Sequence, residues 1–159
     1  MPIQEYLGTS FEDLDREYVD GEIVERAPHD QPQSKTQWHL TGLIWDASKN
    51  RPLHGYISMR SKVAPTRVRI PDFSIYADPP EGQVPSQPAL AVIEIVSDDR
   101  FAQLMEKFEE YECWGVPHIW LADPARRCLQ KYAHGSLTKV AALEIPEFNV
   151  RITAAEIFG

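Results

Sequence analysis

Several absences narrow the class of this chain before any motif is read. No stretch approaches the ~18 consecutive apolar residues of a membrane span, and the start MPIQEYLGTSFEDLDREY has no basic segment followed by an apolar run. A cytoplasmic protein with no membrane partner is expected. Cysteine is scarce: Cys113 and Cys128 form no metal-spaced pair, and in a reducing compartment they are expected to be core thiols. Positive charge is in deficit, with 16 Lys and Arg against 24 Asp and Glu and a net charge of −8. Unaided adhesion to nucleic acid is therefore disfavoured, and a polyanionic partner would need a local basic patch or metal ions. His29, His39, His54, His118 and His134 lack zinc-ligand spacing, and no Ser/His/Asp set has a recognisable nucleophile setting. Repeats and low-complexity tracts are absent as well.

What is present reads as one packed domain over residues 1–159, with hydrophobic residues at 43% and charged residues at 25%. REYVDGEIVERA sets Asp20-Gly21 between two β-prone runs, the signature of an N-terminal hairpin. Leu40, Leu43, Ile44 and Ala47 recur at helical spacing, predicting a helix over about 34 to 49 with Ser34 as N-cap. Runs over roughly 54 to 63 and 67 to 77 are expected to pair antiparallel, and DPPEGQVPSQP to form an exposed loop. ALAVIEIVS is nearly all apolar, as in a strand covered on both faces. In DDRFAQLMEKFEEYECWG, Phe101, Leu104, Met105, Phe108 and Tyr111 mark one helical stripe, with acids at its start and Gly115 beyond its end. VPHIWLADP reads as a buried strand, CLQKY and LTKVAAL as a late hairpin, and Thr153 with Glu156 as a capping box. Trp38, Trp45, Trp114 and Trp120 sit in apolar periodic segments and are expected in the core. The order of elements indicates an α/β or α+β sandwich around one mixed sheet.

Two charges interrupt these strands. Glu94 shares its face with Leu90, Val92 and Val96, and Asp72 falls among Val68, Ile70 and Ser74. An ionised carboxylate on a covered face costs several kcal/mol unless it is paired or binds a cation. A hard cation such as Mg²⁺ is satisfied by one or two carboxylates plus waters, leaving positions for a phosphate oxygen and a nucleophilic water. Pro71 beside Asp72 suggests a bulge or strand start, although Pro-Asp is also a common turn and a buried acid is often simply salt-bridged. Phosphodiester cleavage usually adds a lysine. Glu94 lies roughly 10 Å before the turn near Ser97 at about 3.3 Å per residue. Lys107 lies roughly 13 Å beyond it at about 1.5 Å per residue, so a returning helix brings the two level. On position alone, a solvated face beside Glu106 and Glu110 suits Lys107 better. Arg60, Lys62, Arg67 and Arg69 form the notable basic cluster, fit either for phosphate contacts or for cross-strand pairs to acids.

Pro71-Asp72, Glu94-Ile95-Val96-Ser97, Glu106-Lys107, Tyr111, Gly115-Val116-Pro117 and Trp120-Leu121-Ala122-Asp123-Pro124, preceded by Tyr18-Val19-Asp20-Gly21-Glu22, form an ordered set from about residue 11 to the end. As a set they resemble the Uma-type endonucleases, common in bacteria, within the PD-(D/E)xK nuclease superfamily. The resemblance implies a restriction-endonuclease-like core with Asp72 and Glu94 as ligands of Mg²⁺ or Mn²⁺ and the Ile95 carbonyl as a further ligand. It also implies that Lys107 is the catalytic lysine, moved from strand to helix. Glu22 matches the family's hairpin glutamate, or is a turn-flanking surface acid. Where family members often carry an acid one turn before the lysine, this chain has Gln103, so an orienting salt bridge is expected to be missing. The activity implied is metal-dependent hydrolysis of DNA phosphodiester bonds. The alternative is a weak or inactive nuclease fold acting as an interaction module, marked by a cluster neutralised through internal salt bridges. A homodimer is expected by analogy with small nuclease domains that pair to cut two strands.

Overall fold

The computed structural model describes residues 1–96 and 101–159. The turn expected near Ser97 and the acids expected at the start of the second long helix lie outside the described residues. A short helix α1 (Ile3–Leu7) precedes the hairpin of β1 (Glu17–Val19) and β2 (Glu22–Val24). Asp20 and Gly21 turn that hairpin at φ 50° and 97°, the left-handed pair that a two-residue turn requires and that glycine adopts without steric cost. Helix α2 (Gln31–Ser48) follows. Next come β3 (His54–Ile57), β4 (Ser61–Ala64), β5 (Arg67–Arg69), β6 (Phe73–Tyr76) and β7 (Ala91–Ile95), then α3 (Phe101–Trp114). The chain ends with β8 (His118–Asp123), β9 (Cys128–Ala133), β10 (Ser136–Val140), the small hairpin β11 (Ala142–Ile145) and β12 (Val150–Thr153), and α4 (Ala154–Phe158).

The main sheet is mixed, in the order β10-β9-β8-β7-β6-β3, with β7 and β8 parallel across α3 and the other pairs antiparallel. A second sheet runs β2-β1-β5-β4. The α/β (α+β) class and the mixed sheet flanked by helices are as expected. The two runs expected to form one antiparallel ribbon do pair antiparallel, but each is divided between sheets. β3 pairs with β6 in the main sheet, whereas β4 pairs with β5 beside the N-terminal hairpin. Ser58 at φ 49° breaks the first run, and Pro71, lacking a backbone donor, breaks the second. The Ser58 N–H donates to the Asp72 carbonyl at 3.2 Å across the gap.

Alternation in β7 sends Ala91, Ile93 and Ile95 to one face, where they pack with Leu40 and Ile44 of α2 and with β11, β12 and α4. Val92 faces the other way, among Leu104, Phe108 and Tyr111 of α3. The strand is thus covered on both sides, as its apolar run predicts. Gly115 (φ 114°) ends α3, its N–H bonding to the Tyr111 carbonyl at 3.2 Å.

Several expectations are corrected. Helix α2 is capped by Asp30 rather than Ser34, through a reciprocal box with Gln33; Pro32 is tolerated in the first turn because no hydrogen bond is lost there. LTKVAAL is two strands, β10 and β11, and both α1 and the β11–β12 hairpin were not anticipated. Trp38 and Trp45 are not core residues: they are 77% and 64% exposed, because the buried stripe of α2 is Gln33, Thr36, Leu40 and Ile44 on the opposite side. Trp120 is buried as expected, Trp114 only partly, and Phe101 is exposed. Cys113 is exposed and Cys128 half-buried, so neither is a core thiol. The capping box of Thr153 and Glu156 stands as expected. No helix of the described residues is long and apolar enough to cross a membrane.

Candidate active site

Asp72 directly precedes β6, and the antiparallel register that pairs Phe73 with Ile93 sets it opposite Glu94. The side chains converge on the α3 side of the sheet. The Ile95 N–H donates to Asp72 Oδ2 at 2.7 Å, and the Asp72 N–H donates to Glu94 Oε1 at 3.2 Å. Each acid is thus fixed by the backbone of the other's strand. Tyr111 on α3 donates its hydroxyl to the same Glu94 oxygen at 3.2 Å. Asp72 and Glu94 are only 4% and 5% exposed. Burial, reinforced by the charge of Asp72, pushes the Glu94 carboxyl up to about 8. Among the described residues Glu94 has no ion-pair partner, whereas Asp72 Oδ1 faces Arg26 at 3.7 Å and His29 at 3.3 Å. The hydrogen bond to Asp72 outweighs burial and raises the His29 pKa above its usual value.

Lys107 lies on α3 with its Nζ 2.8 Å from Glu17 Oε1, on β1. Burial opposes its charge, but Glu94 and Glu17 more than compensate and hold the ammonium. The orienting carboxylate expected to be missing is therefore present. It comes from the N-terminal hairpin rather than from position 103, where Gln103 is exposed at the rim. Glu17 is 1% exposed; its second oxygen accepts from the Ile70 N–H at 2.8 Å, and Arg69 approaches the first at 3.4 Å. Glu110 of α3 takes the other edge of Arg69 at 2.6 Å. Removing one member of such a buried set leaves a charge uncompensated, at a cost of roughly 3–5 kcal/mol.

Asp72, Glu94, Lys107, Glu17, Arg69, Arg26 and His29 line a cavity of about 510 Å³, together with Ile95, Glu22, Gln103 and Gln33. Glu22 is exposed at its edge. Of the basic cluster, Arg69 alone reaches the cavity. Arg60 is held by Asp15 at 2.7 Å and lies over the Tyr6 ring, and Arg67 pairs with Asp20 at 2.8 Å and Glu110 at 3.3 Å. Lys62 is half-buried on β4. Glu17, Arg26 and His29 escaped the reading of the sequence. No local pattern marks them: alternation in EYV turns Glu17 to the face opposite the buried Tyr18, where an acid reads as exposed, and Arg26 and His29 are isolated.

Among the described residues no group of three His, Cys, Asp or Glu is arranged to hold a metal. The protein donors brought together are two carboxylates, a set that suits a hard cation completing its shell with water and a backbone oxygen. Two buried acids, one of which burial and its neighbour's charge keep protonated near neutrality, are chemically matched to such an ion.

A carboxyl with a raised pKa contributes stability that is intact below its unfolded pKa and lost as pH rises through about 8. Between pH 6 and 9 the metal-free protein is expected to lose on the order of 5 °C in melting temperature through this group. Glu94→Gln should flatten that slope while matching or exceeding the parent's stability at pH 9, measured by calorimetry with chelator present. Glu17→Gln keeps the acceptor for Ile70 but removes the charge facing Lys107 and Arg69. It should lower stability by about 3 kcal/mol in urea unfolding, and a change within error would assign Glu17 no part in the network.

The crystal structure of a "putative nuclease belonging to DUF820" from Anabaena variabilis ATCC 29413 aligns with a TM-score of 0.86 at 18% identity, covering 99% of this chain and 97% of that one. A likeness at that identity establishes the shared fold. No curated protein matches the chain. The model of the Uma2 family, described as "Putative restriction endonuclease", matches residues 3–159, and the chain belongs to that family.

Proposed function

We propose that the chain is a divalent-metal-dependent endonuclease that hydrolyses phosphodiester bonds of DNA in the cytoplasm, with residues 1–159 acting as one domain and two copies working together. The observation that carries this reading is the in-register convergence of Asp72 and Glu94 beside a lysine fixed by Glu17. Asp72 and Glu94, with the Ile95 carbonyl, would hold Mg²⁺ or Mn²⁺, which when bound supplies Lewis-acid activation of the phosphate and acidification of water. Lys107 would place its ammonium against charge developing on the phosphate, held there by Glu17. Tyr111 and the Ile95 N–H orient the two carboxylates. Arg26 and His29 bring positive charge to the acidic cavity, where a phosphate backbone would otherwise be repelled.

One observation favours a second reading, an inactive interaction module. Asp72 already meets Arg26 and His29, and Lys107 and Arg69 already meet Glu17 and Glu110. Cleavage separates the two. With Mn²⁺ at low salt the protein should nick supercoiled plasmid or cut single-stranded DNA, and both chelator and Asp72→Asn should abolish this. Lys107→Met should bind the ion at least as well as the parent and lose 10²-fold or more in cleavage rate. A folded, metal-loaded protein inert on all of these substrates would establish the module instead.

A further inference from the structure

The outer face of α2 carries two large apolar side chains that the fold leaves uncovered. Trp38 and Trp45, 77% and 64% exposed, are seven residues apart and so stand on one line of the helix, opposite its buried stripe. Between them is Gly42, where an added Cβ would meet nothing within 4 Å. The face therefore alternates knob, hole and knob. Its flank carries Lys35 and Asp46, both exposed; Asp46 pairs with Lys49 at 3.2 Å, while Lys35 has no ion pair in the described structure.

We infer that this face binds the same face of a second copy, the two α2 helices crossing antiparallel about a two-fold axis near the level of residue 40. Shape and charge select this occupant. When a two-fold reverses the helix about residue 40, Trp38 comes level with Gly42 of the second copy, and Gly42 with its Trp38, so the Trp38–Gly42 fit occurs twice. The same operation brings Lys35 within about one residue rise, ~1.5 Å along the axis, of the level of Asp46 in the second copy, on the same flank. It also brings Lys35 level with the second copy's Trp45, the arrangement for a cation–π contact. A nucleic acid or an anionic lipid surface would meet Asp46 and the nearby Glu156 along with Lys35 and Lys49, a rim of mixed sign rather than a basic patch. Contact along one helix lies at the small end of stable interfaces, so the dimer forms in the micromolar range rather than obligately.

The test is oligomeric state, measured without DNA or metal, so it succeeds or fails independently of the catalytic reading. Sedimentation velocity on the full chain from 2 to 200 μM, a range set by that ~micromolar expectation, should show the mass rising from 18.2 kDa toward twice that value. Tryptophan emission should shift to the blue over the same range. Trp38→Ser removes the knob, and Gly42→Gln fills the hole at a position where the monomer has room and the helix gains propensity. Each should weaken dimerisation at least tenfold with an unchanged far-ultraviolet spectrum. A parent chain that stays monomeric to 200 μM, the upper limit of that ~micromolar range, would overturn the proposal. So would a dimer equally strong in both variants, which would place the interface elsewhere.

Discussion

Two carboxylates occupying one buried position are the constraint on which the rest of this structure depends. Asp72 and Glu94 meet because the β6–β7 register sets them opposite each other. Each then accepts a backbone N–H from the other's strand, so neither can turn away without stranding a buried donor. The repulsion is absorbed by keeping Glu94 protonated toward neutral pH and by Arg26 and His29 at Asp72. A core built for stability alone would hold apolar residues at both positions.

A second set of charges buttresses the first. Glu17 enters from the N-terminal hairpin, Arg69 from β5, and Lys107 and Glu110 from α3, so three elements distant in sequence are tied at one edge of the cavity. This explains why the ribbon following α2 divides between two sheets. Its β4–β5 end must pair with the hairpin to carry Arg69 to Glu17. Its β3–β6 end must pair with β7 to bring Asp72 to Glu94, and Pro71 lies at the division, where a missing donor costs least. The glutamine at 103 and the buried glutamate at 17 are then one arrangement: the acid that meets Lys107 comes from the hairpin rather than from the preceding turn of α3.

Much of this was legible in residue order. Asp20-Gly21 announced the hairpin, the apolar run at 91–95 the doubly covered strand, and the isolated Glu94 and Asp72 the pair of buried acids, because a charge on an apolar strand face is visible in one dimension. Residue rises permitted Lys107 to reach the site, but the solvated face expected for it on position alone is not what the structure shows: the lysine is largely buried against Glu17. What stayed hidden depends on tertiary packing. Glu17 reads as one acid among many until the hairpin folds over α3, and Arg26 and His29 lie in a polar loop with no period. The tryptophans of α2 misled for a related reason: a large apolar side chain suggests a core, whereas the helix buries Gln33 and Thr36 with Leu40 and Ile44 and turns Trp38 and Trp45 outward.

The central claim, that Asp72 and Glu94 form one cation site, is tested most directly by titrating Mn²⁺ into the metal-free protein in a calorimeter, with no substrate present. The account predicts saturable binding of a single ion per chain, weakened at least tenfold by Glu94→Gln and by Asp72→Asn alike. Binding that neither substitution alters, or no binding by the folded protein, would contradict it.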